Sequence, residues 1–114
     1  MSRRAITIAA IVTLLAAIAL PLGAQATRTL QGQVASSSDA PLPGAVVYLK
    51  NTKTLAIRTY ISDGSGNYRF TSLSPSVDYE VYAEYKGARS DSKTLSAFDS
   101  RATAVIHLKV NTKS

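Results

Sequence analysis

The chain has 114 residues, no cysteine, one histidine and a formal net charge of +6. This length suits an export segment followed by one small domain, and the missing thiols exclude disulfides, a thiol nucleophile and a thiolate metal site. Lysines and arginines are spread singly along the chain and form no basic stripe, so the sequence does not indicate a nucleic-acid binder.

The N-terminal segment has the pattern of a signal peptide. Arg3 and Arg4 precede an uncharged run over residues 5–20, which Pro21 and Gly23 terminate. The run is shorter than the roughly 20 apolar residues that span a bilayer, and small residues at 24–26 are typical of a cleavage site. We predict a helical signal peptide over residues 1–26, cleaved after Ala26. Residues 27–114 would then be a secreted or periplasmic domain with no stable membrane span.

Short strands separated by turns are predicted after the signal peptide. Apolar and polar residues alternate over residues 29–34, 45–49, 55–61, 68–73, 79–85, 90–95 and 102–110, most weakly at 90–95. Prolines and a glycine at 41–44 forbid a central strand there and predict a turn. Because no helical periodicity follows the signal peptide, the pattern predicts an all-β fold, a seven-stranded antiparallel β-sandwich.

The turn at residues 62–70 gathers the residues of a β-hairpin connection. Asp63, Ser65 and Asn67 have the oxygen spacing of a calcium loop, but Tyr68 follows where glycine is usual and no acidic residue closes the site. We therefore predict an Asx-type turn that directs Tyr68 and Phe70 into the core, and no metal site.

Four spaced motifs carry a family resemblance. They are Leu-x-Gly-x-Val at 30–34, Pro-Leu-Pro-Gly-Ala-x-Val-x-Leu at 41–49, Ser-Asp-x-x-Gly-x-Tyr-x-Phe-x-x-Leu at 62–73 and Tyr-x-Val-x-Ala at 79–83. Over about residues 30–110 the chain resembles the carboxypeptidase regulatory-like domain. The resemblance implies a transthyretin-like, Greek-key-type sandwich, one of the carbohydrate-binding-like folds, that does no chemistry of its own. The chain departs from the family pattern at residues 74–78, where a Pro-Gly turn is usual.

Two glycines in these motifs have a predicted structural role. We expect Gly32 to allow a close backbone approach and Gly66 to adopt a left-handed turn conformation.

The sequence gives no indication of catalysis or of a cofactor. Peptidase zinc needs three ligands, usually histidine and glutamate, and His107 is the single histidine. It shares a face of the last predicted strand with Val105 and Lys109, which predicts a partly exposed strand residue. The serines lack a partner base for nucleophilic attack. We expect a protein that is not an enzyme.

Tyrosines supply the candidate binding surface. Tyr48, Tyr60 and Tyr82 are predicted on outward faces of their strands, where tyrosines stack sugar rings, anchor a partner protein or pack across strands. The loop at 74–78 is a second candidate surface. In the loop after the weak strand we predict an ion pair between Asp99 and Arg101, and Phe98 covering the open end of the sandwich.

These observations predict a non-catalytic, exported β-sandwich module. Its first expected role is a structural or protein-interaction accessory domain of the cell envelope, acting through strand faces or an exposed strand edge. The alternative is a carbohydrate-binding module whose partner is a polysaccharide. A weaker alternative is a regulatory subunit for a separate peptidase.

Overall fold

The computed structural model describes residues 26–112, which form two β-sheets packed as a sandwich. The strands are β1 (Arg28–Ser36), β2 (Val46–Asn51), β3 (Ile57–Ile61), β4 (Asn67–Leu73), β5 (Tyr79–Tyr85), β6 (Ala88–Arg89), β7 (Lys93–Leu95), β8 (Thr103–Val105) and β9 (Leu108–Val110). The predicted all-β sandwich is confirmed. Within this range no helix is long and apolar enough to cross a membrane. Apart from Ala26, the predicted signal peptide lies outside the described residues.

The first sheet is built around β1. Its order is β4-β1-β8, and β9 also pairs with β1. The β1–β4 pairing is antiparallel, whereas β8 and β9 run parallel to β1. The last predicted strand is therefore divided into two, and it pairs in the parallel sense where an antiparallel sheet was predicted.

The second sheet has the order β3-β2-β5-β6, with β7 also paired to β5. Both β3 and the β6–β7 pair are edges of this sheet. Of the weak strand predicted at 90–95, only residues 93–95 form a strand. Ser90 lies between β6 and β7, and its hydroxyl accepts a hydrogen bond from the Ala83 amide at 2.8 Å. One edge is thus broken into two short segments, and β3 is the continuous one.

The core lies between the two sheets and follows the predicted period of two. Tyr68 and Phe70 are buried as predicted. The remaining core side chains are mainly aliphatic: Leu30, Val34, Leu42, Ala45, Val47, Leu49, Leu73, Tyr79, Val81, Ala83, Leu95, Ala104, Leu108 and Val110.

Gly32 and Gly66 have the roles predicted for them. A Cβ on Gly32 would lie 1.9 Å from the Ile106 carbonyl oxygen, because the link between β8 and β9 lies directly against β1. Gly66 has φ of 77°, and a Cβ there would lie 2.6 Å from the Val34 carbonyl oxygen. Only glycine fits either position without backbone movement.

The turn between β3 and β4 is a structural Asx turn, as predicted. Asp63 Oδ1 accepts hydrogen bonds from the Ser65 and Asn67 amides, both at 2.9 Å. Beside it, the buried Ser62 hydroxyl donates to the Leu42 carbonyl at 2.6 Å and accepts from the Ala45 amide at 2.8 Å. These bonds fix the direction in which the chain leaves β3.

Arg28 closes one end of the sandwich. Its side chain is only 3% exposed, and its guanidinium donates to the carbonyls of Ser74, Val77, Ser96 and Asp99. The loop at 74–78 is thereby fixed against the loop that precedes β8.

Phe98 does not cover that end. Its side chain is 95% exposed, so the predicted role was wrong. The buried arginine satisfies the loop carbonyls, which an aromatic ring cannot do.

Candidate functional site

Strand β3 presents the largest cluster of exposed aliphatic side chains among the described residues. All five of its residues are exposed; Ile57 keeps 55% and Ile61 66% of its accessible surface, and Leu55, just before the strand, keeps 63%. Scattered exposed apolar residues are normal on a protein, but several side by side on a sheet edge mark a candidate interaction surface.

The hydrogen bonds that bracket β3 show which of its backbone groups face β2. The Asn51 amide donates to the Ala56 carbonyl at 2.9 Å, and the Ser62 amide donates to the Ala45 carbonyl at 2.8 Å. Along an antiparallel strand, successive residues direct their N–H and C=O groups to opposite sides. The even-numbered residues from 56 to 62 therefore pair with β2.

The odd-numbered residues of β3 direct their backbone groups away from the sheet. These residues are Ile57, Thr59 and Ile61. No described strand pairs with that side of β3, which ends the order of its sheet. The edge thus offers an unpaired row of donors and acceptors next to exposed isoleucines, the arrangement that accepts an added strand.

Tyr60 lies on the opposite face from the one predicted. It is paired with the buried Val47, and its ring centroid is 6.0 Å from that of Phe70. Directly opposed residues share a face, so Tyr60 points toward the first sheet while Ile57 and Ile61 point to the outer face. The prediction failed because β3 has large apolar side chains on both of its faces, and the aliphatic residues of an edge strand can remain exposed.

Arg58 closes the inner flank of β3 together with Tyr60. Its guanidinium donates to the Thr71 carbonyl at 3.0 Å and lies 5.6 Å from the Phe70 ring centroid. The Arg58 guanidinium, the charged group of β3, is therefore bound to β4 of the same chain.

Tyr48 and Tyr82 lie on the outer face of the same sheet. Their rings stack with centroids 4.9 Å apart and an interplanar angle of 17°, and the Arg89 guanidinium lies 4.3 Å from the Tyr82 centroid. Hydrogen bonding to the Glu84 carboxylate raises the pKa of the Tyr48 phenol. The Tyr82 ring is therefore in contact with both Tyr48 and Arg89. Tyr60 lies on the other face of the sheet and is not part of this cluster.

A shallow cleft of about 390 Å³ lies beside the β3–β4 turn. Its lining includes Asp63, Tyr68 and His107, and the chain itself engages a polar atom of each. Asp63 Oδ1 caps the turn, the Tyr68 hydroxyl donates to the Ile106 carbonyl at 2.6 Å, and His107 Nδ1 accepts from the Gln33 amide at 3.1 Å. The cleft is thus formed largely by groups that hold the fold together.

The part of the chain that the structure describes contains no group of three histidine or acidic side chains placed to hold a metal ion. His107 is exposed and lies in the link between β8 and β9, so the prediction that it is a strand residue was wrong. Its Nδ1 accepts a hydrogen bond from the Gln33 amide of β1. This bond assigns the proton of the neutral ring to Nε2.

The fold and its motifs agree with a protein-family comparison. The model of the carboxypeptidase regulatory-like domain matches residues 29–110. The chain belongs to this family. The match covers all nine strands from the second residue of β1 to the end of β9. A comparison with curated protein sequences gave no match.

Solved structures with a similar fold include two kinds of protein. Catechol 1,2-dioxygenase from Acinetobacter sp. ADP1 has a TM-score of 0.61 at 16% identity, and the match covers 82% of this chain and 54% of that one. BcpA, the major pilin subunit of Bacillus cereus, has a TM-score of 0.56 at 16% identity, covering 75% and 30%. The match thus covers about half of the first protein and less than a third of the second. Identities this low show a shared fold.

Sequence reasoning missed the two residue groups with the most informative environments. Arg28 was not distinguished from the other basic residues that are spread singly along the chain, yet it is buried and donates to four carbonyls. The β3 edge was missed because Tyr60 was predicted on the outward face, which would place Ile57 and Ile61 on the inward face. The sequence Ile-Arg-Thr-Tyr-Ile did contain a signal for this edge, because apolar side chains occur at both odd and even positions of the strand.

Proposed function

We propose that this protein is a non-catalytic, exported β-sandwich module of the cell envelope that binds protein partners by strand addition to the edge of β3. The observation that carries the proposal is the coincidence of outward-directed backbone groups with exposed isoleucines on one continuous strand. Main-chain bonds supply affinity in this binding mode, and alternate side chains supply specificity.

The other edge of the sheet supports the choice of β3. There, β6 and β7 are two and three residues long and carry the charged side chains of Arg89 and Lys93. Short strands and charge are the usual protection of an edge against pairing, and β3 has neither feature on its outward face.

The experiment that tests the proposal is site-specific photo-crosslinking in the native cell. A photoreactive side chain is placed at Ile61, and the matched control carries it at the exposed Thr94 on the opposite edge. We expect a protein adduct from position 61 and little or none from position 94. Equal adducts from both positions, or none from 61, would contradict the proposal.

Carbohydrate binding is the alternative for the outer face of the sheet. Sugar rings stack on free aromatic faces, and here Tyr48 and Arg89 already cover the Tyr82 ring. Isothermal titration with envelope and plant polysaccharides separates the two functions. We expect no heat of binding, and a saturable heat that Tyr48→Ala abolishes would favour the alternative.

A further inference from the structure

The partner chemistry can be derived from β3 itself, because its residues match a second copy of the same strand. Read about Thr59, the strand is a near-palindrome: Ile57 and Ile61 are equidistant from the centre, and so are Arg58 and Tyr60. An antiparallel pair of identical strands related by a two-fold axis brings together the residues equidistant from that axis. The sequence is therefore self-complementary.

We infer that two copies of the chain pair through β3 in an antiparallel register centred on Thr59, and this inference rests on the strand-addition function proposed above. In that register Thr59 faces Thr59 of the second copy, and Ile57 faces Ile61. Ile57, Thr59 and Ile61 form these pairs, and they are the residues whose backbone N–H and C=O groups point away from β2. Two edges thus gain about six backbone hydrogen bonds.

Side-chain pairing favours the same register. On the outer face, Ile57 and Ile61 meet as aliphatic pairs, which stabilise neighbouring strands. On the inner face, each Arg58 lies beside a Tyr60 ring of the other copy, and its guanidinium is already bound to the Thr71 carbonyl. A cation beside an aromatic ring is a favourable contact.

The two neighbouring registers form fewer backbone hydrogen bonds, and one of them also opposes like charges. Centring the pair on Arg58 places the two arginines directly opposite each other, and like charges opposed in this way are destabilising. Centring it on Tyr60 avoids that repulsion but, like the Arg58 register, forms only about four backbone bonds from the outward groups. The Thr59 register satisfies the most groups and opposes no like charges.

The pairing joins the five-stranded sheets of two copies into one continuous sheet. Only one strand of each copy is in the contact, so the interface is small and the dimer is expected to exchange with monomer at micromolar concentrations. On the outer face, the half-buried Val46 lies beside Ile61 and adds apolar surface next to the contact.

Disulfide trapping tests the register directly, because the chain contains no cysteine of its own. Facing residues of a hydrogen-bonded antiparallel pair have Cα atoms about 5.5 Å apart, a distance that a disulfide spans. The full-length chain is expressed with Thr59→Cys, purified from its exported fraction and oxidised. The matched control is Thr94→Cys on the opposite edge. We expect Thr59→Cys to form covalent dimers at least about 10-fold faster.

A charge-exchange pair tests whether the open side of β3 forms the contact. Ile57→Lys with Ile61→Lys in one chain, and Ile57→Glu with Ile61→Glu in another, place like charges opposite each other in each homodimer. We expect each variant alone to sediment as a monomer and their mixture to form heterodimers. Circular dichroism of each variant establishes that it is folded, which the exposure of both isoleucines predicts.

Two results would overturn the inference. One is trapping of Thr59→Cys no faster than of Thr94→Cys, and the other is a wild-type chain that sediments as a monomer at about 1 mM, well above the expected dissociation constant. Its failure is distinguishable from failure of strand addition in general. Either result, found together with a crosslinked adduct at Ile61 that has the mass of a different protein, would refute self-pairing and support the proposed function.

Discussion

Strands β1 and β3 differ in how many neighbouring strands their backbone groups bind. β1 is the central strand of its sheet, with β4 on one side and β8 and β9 on the other, and even its buried arginine is satisfied by four carbonyls. β3 has one neighbour, and all five of its residues are exposed. Substitutions in β1 should therefore change the free energy of unfolding, and substitutions on the outward side of β3 should change association.

The largest expected effect is that of Gly32→Ala in β1. The added methyl would overlap the Ile106 carbonyl, which lies 1.9 Å from the Cβ position, so the backbone between β8 and β9 must move. We expect a loss of about 4 kcal/mol of stability or failure to fold. The matched control is Gly64→Ala, whose Cβ position has no neighbour within 4 Å. Thermal unfolding measures both, and equal effects would contradict the close approach at Gly32.

Arg28→Met should have the next largest effect. Methionine fills similar space but leaves the loop carbonyls without their donor, and unsatisfied buried polar groups are costly. We expect a loss of about 3 kcal/mol, which lowers the unfolding midpoint by roughly 15 °C. Arg69→Met, at an exposed arginine, should change the midpoint little. A variant at Arg28 as stable as the wild type would show that the loops hold themselves.

Thr59→Pro in β3 should have the opposite effect to the substitutions in β1, because it should weaken association and leave the stability of the fold nearly unchanged. The Thr59 amide points away from β2, so proline removes no bond within the sheet, yet it deletes the central donor of the open edge. We expect a dimer dissociation constant raised at least about 10-fold, corresponding to about 1.4 kcal/mol, with a nearly unchanged unfolding midpoint. Thr59→Val retains the amide and should associate like the wild type. Sedimentation velocity measures both variants, and an unaffected dimer would place the interface elsewhere.

Acid should produce the smallest effect, in the loop that Arg28 holds. Hydrogen bonds from Arg101 lower the pKa of Asp99 to about 2. A carboxyl whose pKa is depressed in the folded state contributes stability above its unfolded pKa of about 3.9 and loses it as the pH falls through about 2.

Asp99→Asn provides the comparison for this acid effect. The variant should be slightly less stable than the wild type at pH 6, and the difference should shrink toward pH 2. Thermal unfolding across this range measures it. A difference that stays constant with pH would show that the charge of Asp99 does not contribute.

Much of the architecture followed from local pattern. The alternation of apolar residues predicted the strands and the burial of Tyr68 and Phe70, and turn chemistry predicted Gly66 and the Asx turn at Asp63. Gly32 was predicted because a glycine within a strand indicates a close approach. These features depend on residues that are near each other in sequence or on the two faces of one strand.

The errors concern environments created by distant parts of the chain. The burial of Arg28 requires the carbonyls of two loops that are 46 to 71 residues away. The orientation of Tyr60 depends on the register between β2 and β3, and the parallel pairing of β8 depends on the path of the whole chain. A single sequence contains no direct signal for any of these.

Hydrogen exchange at individual amides shows directly whether β3 is the edge on which this protein assembles. In dilute solution we expect slow exchange for Arg58 and Tyr60, which are bonded to β2, and fast exchange for Ile57, Thr59 and Ile61. At concentrations where the chain associates, the three fast amides should become protected together while Arg58 and Tyr60 change little. Association that leaves Ile57, Thr59 and Ile61 in fast exchange would contradict the claim that β3 is the edge on which this protein assembles.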